Sequence, residues 1–178
     1  MGLSLHAVSK DYHYDEEVED YVGEKGFLST DIGYFGYKFF RDDLIKYCSN
    51  EKYESIEKVF KVFDCYSDTE TYKIAVIEGD FEEQELQDET VQKYLIKLNH
   101  LKNVCPKLYD CFPFVMHNDC AGEIPYEQLE SVLPILQEYK QNHPNKKYGY
   151  SGWDYDWLQD LIDIIKEAIK MKGKLMFS

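Results

Sequence analysis

Reactive side chains are densest between Cys105 and Glu123, where Cys105, Cys111, His117, Asp119, Cys120 and Glu123 follow one another closely. Two chemistries fit those residue types. Cys105, Cys111, His117 and Cys120 are four soft ligands, the number and kind that tetrahedral zinc takes. Their spacing, C-x5-C-x5-H-x2-C, holds no C-x(2–4)-C knuckle. If Phe112 to Met116 is a short apolar strand, the ligands spread over about 20 Å at strand rise. No metal and no other cofactor is therefore expected. The second chemistry is nucleophilic, with His117 as base for a Cys120 thiolate beside Asp119 and Glu123, ahead of a helix N-terminus. A turn of three residues must then aim both groups at one point, and the neighbouring carboxylates raise the thiol pKa. A structural role accounts for the same residues. His117 ends an apolar strand, Asn118 or Asp119 accepts turn hydrogen bonds, Gly122 is left-handed, and Cys120 packs as a small apolar residue. The five cysteines include no C-x-x-C and leave one over in any pairing, which suits reduced thiols in a cytosol. The residues thus point to a binding protein before an enzyme.

The charge offers a different function. The 178 residues carry a formal charge of −14, from 34 acids and 20 Lys or Arg. Asp11 to Glu24 holds seven acids and no Lys or Arg, and so does Glu78 to Glu89. Removing those 14 acids leaves 20 against 20, so two segments own the whole excess. Each repels itself unless a cation, a basic patch or a partner faces it. Neither contains the D-x-[DN]-x-[DN]-G pattern of a calcium loop. Either the segments are solvated loops or they face a partner. In the second case the expected partner is a protein whose basic surface normally takes nucleic acid or a nucleotide, approached by electrostatic steering. Asp15, Glu16, Glu17, Glu19 and Asp20, then Glu82, Glu83 and Glu85, would supply charge. Tyr12, Tyr14 and Tyr21 would be contact anchors. Direct nucleic-acid binding is not expected at this charge. No run of 18 apolar residues exists for a membrane span, and the first residues lack the pattern of a secretory signal.

The elements that must position these residues read as one α+β domain over 1–178, a small antiparallel or mixed sheet packed on four to five helices. Residues 2–9 alternate as a half-buried strand, with Leu3, Leu5 and Ala7 opposed to Ser4, His6 and Val8. The glycines of Gly33-Tyr34-Phe35-Gly36 suggest a turn, and a helix is expected over 37–48. Asn50 could cap another helix from Glu51. Residues 71–78 read as a strand, and a helix capped by Asp88 or Thr90 ends before Cys105-Pro106. Pro125 suits the start of a helix, kinked at Pro134. A loop over 142–149 precedes the last helix, 154–171, whose apolar stripe includes Trp157, Leu161 and Ile165 and which Gly173 can end.

The stretch His117-Asn118-Asp119-Cys120-Ala121-Gly122-Glu123-Ile124, followed by an amphipathic helix, resembles the H-S-D-C-x-G-E segment of small uncharacterised proteins of bacteria and their phages. The opening Met1-Gly2-Leu3 and the late run Gly149-Tyr150-Ser151-Gly152-Trp153-Asp154-Tyr155 are similar to phage proteins too. Asn118 replaces the usual Ser, and Ala121 replaces a frequent Asp. The resemblance implies a small cytosolic protein of phage or bacterial origin and supplies no activity. In that setting an acidic surface suits an inhibitor of host defence or an immunity-type protein. Tyr148, Tyr150 and Trp153, in a loop bounded by glycines, are either core rings with a polar tip or a further exposed surface for recognition, whereas Trp157, on the apolar stripe, belongs to a core.

Overall fold

In a computed structural model, residues 2–55, 58–59, 89–116, 122–148 and 156–178 are described. The fold is α+β. It divides into two compact units, residues 1–39 with 119–178 and residues 40–118. The strands are β1 Gly2–Val8, β2 His13–Asp15, β3 Asp20–Val22, β4 Lys25–Gly33, β5 Gly122–Pro125 and β6 Lys174–Phe177. The helices are α1 Tyr34–Cys48, α2 Glu89–Val104, α3 Pro106–Met116, α4 Tyr126–Asn142 and α5 Trp157–Met171.

The first unit is built on a four-stranded antiparallel sheet of order β4-β1-β6-β5, with β2 and β3 pairing as a separate two-stranded ribbon. Alternation sets its faces. Leu3, Leu5, Ile32, Ile124, Leu175 and Phe177 are buried, and cross-strand pairs such as Leu3↔Ile32 and Leu5↔Phe177 hold them on one side. Helix α5 packs on β1, β4 and β6 through Leu158, Leu161, Ile165 and Ala168, while α4 packs on α5. Tyr37 meets Trp157 and Phe177 edge to face, confirming Trp157 as core. The opposite face carries Ser4, His6, Asp31, Glu123 and Lys174. Val8 is buried although alternation groups it with Ser4 and His6, because the β1–β4 register shifts between His6 and Val8.

Helix α5 has Asp156 at its N-cap, accepting from the Gln159 N–H at 3.2 Å. It ends with Lys172 in the left-handed region, and the next residue meets β1. A Cβ on Gly173 would stand 1.9 Å from the Val8 carbonyl oxygen, so only glycine fits. Pro125 occupies the N-cap of α4, and Pro134 lies within that helix.

In the second unit α2 packs on α3, and the C-terminal part of α1 meets α3. Phe40, Leu44, Ile45, Leu101, Leu108, Phe112 and Phe114 are buried, with Phe40 edge-on to Phe114. The buried Arg41 guanidinium donates to the Val115 carbonyl at 3.3 Å.

Three expectations are corrected. Phe112 to Met116 is helical, not a strand: Pro106 opens α3, and Leu108, Cys111, Phe112 and Val115 repeat at i, i+3, i+4 and i+7, all buried. Tyr34 starts α1 directly after β4, so Gly36 lies in a helix and not in a turn. No helix starts at Glu51, because Asn50 and Glu51 both have positive φ, 51° and 62°, which ends α1 in a left-handed turn. The strand expected at 71–78 lies outside the described residues.

Candidate functional site

The acidic segment Asp11–Glu24 is a hairpin and not an irregular loop. It interrupts the connection between β1 and β4, which otherwise pair directly. Its neck is tied twice: the Ser9 N–H donates to the Glu24 carbonyl at 2.7 Å, and the Glu24 N–H donates to Ser9 Oγ at 2.8 Å. Gly23 makes that neck possible. Its φ is +106°, and a Cβ there would come within 2.7 Å of the Tyr12 Cα.

Pairing runs His13↔Val22, Tyr14↔Tyr21 and Asp15↔Asp20, leaving Glu16-Glu17-Val18-Glu19 as the tip. Glu19 takes the left-handed conformation with φ 53°. Asp15 Oδ1 accepts from the Glu17 N–H at 2.8 Å and the Val18 N–H at 3.4 Å, shaping the turn from within. The like-charged pair Asp15↔Asp20 is unfavourable by itself. Three tyrosines hold the hairpin instead. Tyr12 is buried and stacks on Tyr21 at 5.3 Å, and Tyr14 meets Tyr21 edge-on at 5.3 Å. Tyr12 is therefore the foundation, and Tyr14 and Tyr21, each about half exposed, are the rings that face solvent. Glu16, Glu17, Glu19 and Asp20 are exposed beside them. The Asp11 carboxyl is held below its ordinary range by the Ser9 hydroxyl and by backbone hydrogen bonding.

The other sequence-derived sites fall only in part within the described residues. Glu82, Glu83 and Glu85 lie outside the described residues, as do His117, Asp119, Cys120, Tyr150 and Trp153. Glu123 is in β5, where its carboxylate pairs with Lys174 Nζ at 2.5 Å across the sheet. Tyr148 is buried and its hydroxyl bonds that of Tyr139, so it faces a core and not solvent. Cys105 and Cys111 are buried thiols, both raised above their ordinary pKa chiefly by burial. Among the described residues, no cluster of three His, Cys, Asp or Glu is arranged to hold a metal ion, and no helix is long and apolar enough to cross a membrane.

Residue-level sequence reasoning missed one built feature. Strand β4 bulges opposite the end of β1, and there the Glu167 carboxylate of α5 accepts from the Phe27 and Leu28 N–H groups, each at 3.1 Å. Phe27 itself is 99% exposed, which makes it a surface ring and not part of the core. The edge of β4 is thereby stopped against strand addition at that point. No local pattern announces a carboxylate 140 residues away. Comparison with protein-family models, with curated proteins and with solved structures returns no match.

Proposed function

We propose that this chain is a non-catalytic binding protein that uses the β2–β3 hairpin to occupy a basic, nucleic-acid- or nucleotide-binding site on a protein partner. One observation carries the reading: a base-free run of seven acids is folded into a tied hairpin that exposes Glu16, Glu17, Glu19 and Asp20 beside Tyr14 and Tyr21. A loop kept only for solubility needs no neck, no turn-shaping aspartate and no tyrosine stack. Carboxylates at this density repel one another, and a Lys- or Arg-rich surface relieves that repulsion on binding. Tyrosine adds area at small entropic cost. In the cytosolic phage or bacterial setting that the resemblance implies, a surface of this kind suits an inhibitor or immunity-type role.

The test compares the wild-type chain with a variant carrying Glu16→Gln, Glu17→Gln, Glu19→Gln and Asp20→Asn. Each is used as bait in a lysate of bacterial cells at about 0.1 M and about 1 M salt, across which the Debye length falls from about 10 to about 3 Å. The wild-type bait should retain a basic protein at low salt that the variant retains at least tenfold less. Equal retention by the two baits, or retention insensitive to salt, would refute the reading.

A further inference from the structure

Helices α4 and α5 form an open cleft between the end of α4 and the start of α5, on residues that the proposed hairpin role does not use. Its volume is about 440 Å³, within the range of small-molecule sites, and its walls include Gln137, Lys140, Pro144, Gln159, Ile162 and Lys166. The helical period explains the grouping. Gln137 and Lys140 stand at i and i+3 on α4, and Gln159, Ile162 and Lys166 recur at i, i+3 and i+7 on α5. Among the described residues that line the cleft there is no carboxylate, in a chain whose formal charge is −14.

The polar walls are fixed from behind. Lys140 Nζ pairs with Asp156 at 2.5 Å, and the Lys140 side chain is 25% exposed. Asp163 holds two wall residues at once, accepting from Lys166 Nζ at 2.8 Å and from Gln159 Nε2 at 2.9 Å. Those bonds, the one from Lys166 first, keep the Asp163 carboxyl below its ordinary range. An ammonium carries three N–H donors, and one Asp oxygen takes one of them from each lysine. Both lysines can therefore donate to a ligand oxygen while already ordered, which lowers the entropic cost of binding.

We propose that this cleft binds a phosphorylated sugar, with Lys140 and Lys166 on the phosphate and Gln137 and Gln159 on the hydroxyls. A carboxamide both donates and accepts, as a sugar hydroxyl does. Pro144 and Ile162 give the C–H face of the sugar an apolar contact. No aromatic ring stands among the described wall residues to stack on a nucleobase, which sets a sugar phosphate ahead of a nucleotide. Inorganic phosphate alone would leave most of the volume to water.

The full isotope-labelled chain is titrated by amide NMR with glucose-6-phosphate and ribose-5-phosphate, and in separate arms with glucose, ribose and inorganic phosphate. At least one sugar phosphate should shift the amides of residues 137–143 and 159–166 saturably, with a Kd of about 1 mM or tighter. Its parent sugar and inorganic phosphate should each bind at least about tenfold more weakly, as should the sugar phosphate to a chain carrying Lys140→Gln and Lys166→Gln. Gln137→Ala leaves both lysine–aspartate pairs in place and should weaken the sugar phosphate by about threefold or more, without changing the affinity for inorganic phosphate. Inorganic phosphate binding as tightly as both sugar phosphates, shifts confined to other segments, or no saturable shift up to about 10 mM would overturn the proposal. The titrations of the unsubstituted chain decide the matter even if a variant fails to fold.

Discussion

Replacing Glu167 by Ala removes the carboxylate that accepts from Phe27 and Leu28, and with it two hydrogen bonds of 3.1 Å each. Bonds to a charged acceptor contribute about 1.5–3 kcal/mol net apiece. Glu167 is partly exposed, so the freed amides regain water and the sum is discounted to about 2–3 kcal/mol. For a chain of this size each kcal/mol moves the melting temperature by about 2–4 °C, so Glu167→Ala should melt about 4–12 °C below wild type. Glu167→Gln keeps one carbonyl oxygen but turns its NH2 toward the other amide, and should lose about half as much. Gly26 supplies an internal control. A Cβ at that position would stand 2.6 Å from Glu167 Oε2, so Gly26→Ala should destabilise the wild type and cost much less in the Glu167→Ala background. Thermal and urea unfolding followed by circular dichroism give the stabilities, and amide exchange at Phe27 and Leu28 locates the effect. A Glu167→Ala variant within about 0.5 kcal/mol of wild type, or unchanged exchange at both amides, would refute the reasoning.

Other expectations follow from the same contacts. Gly23→Ala forces a β-carbon into the Tyr12 backbone at a residue with φ +106°, and should cost about 2 kcal/mol or more while raising amide exchange at Ser9 and Glu24, as two-dimensional NMR would show. His6 has its pKa lowered, first by burial and then by Lys25, and its Nδ1 is buried without a hydrogen-bond partner among the described residues. The folded state therefore prefers neutral imidazole. Its contribution is present above the unfolded value near 6.5 and is lost as pH falls through the lower folded value. His6→Gln should flatten that part of the stability–pH curve measured by urea unfolding. Asp156→Ala removes the α5 N-cap and the Lys140 pair, and should cost about 1 kcal/mol in the same assay.

The parts of the fold legible in sequence were those with long periodic patterns. Residues 2–8 and the stripe Trp157, Leu161 and Ile165 announce β1 and α5 because a strand and a helix that each bury one face must repeat at 2 and 3.6 residues. Strands β5 and β6 were not legible: four residues each give too few alternations to show a period, and both exist by pairing with partners distant in sequence. The segment 112–116 misled because a short apolar run is common to strands and helices. The acidic segment showed its charge at once. What it concealed was order, since the Tyr12–Tyr21 stack and the Ser9–Glu24 ties bring together residues whose separation only the hairpin specifies.

The claim that the hairpin is the recognition element is tested most directly by site-specific photocrosslinking. A photoreactive phenylalanine analogue replaces Tyr21 on the hairpin in one preparation and the exposed Gln141 on α4 in another. After irradiation in lysate, the position-21 probe should yield a discrete adduct to a basic protein that disappears at about 1 M salt, where charges more than about 3 Å apart are screened. The position-141 probe should not yield that adduct. The same adduct from both positions, or none from position 21 while the wild-type chain still captures a partner, would contradict the account.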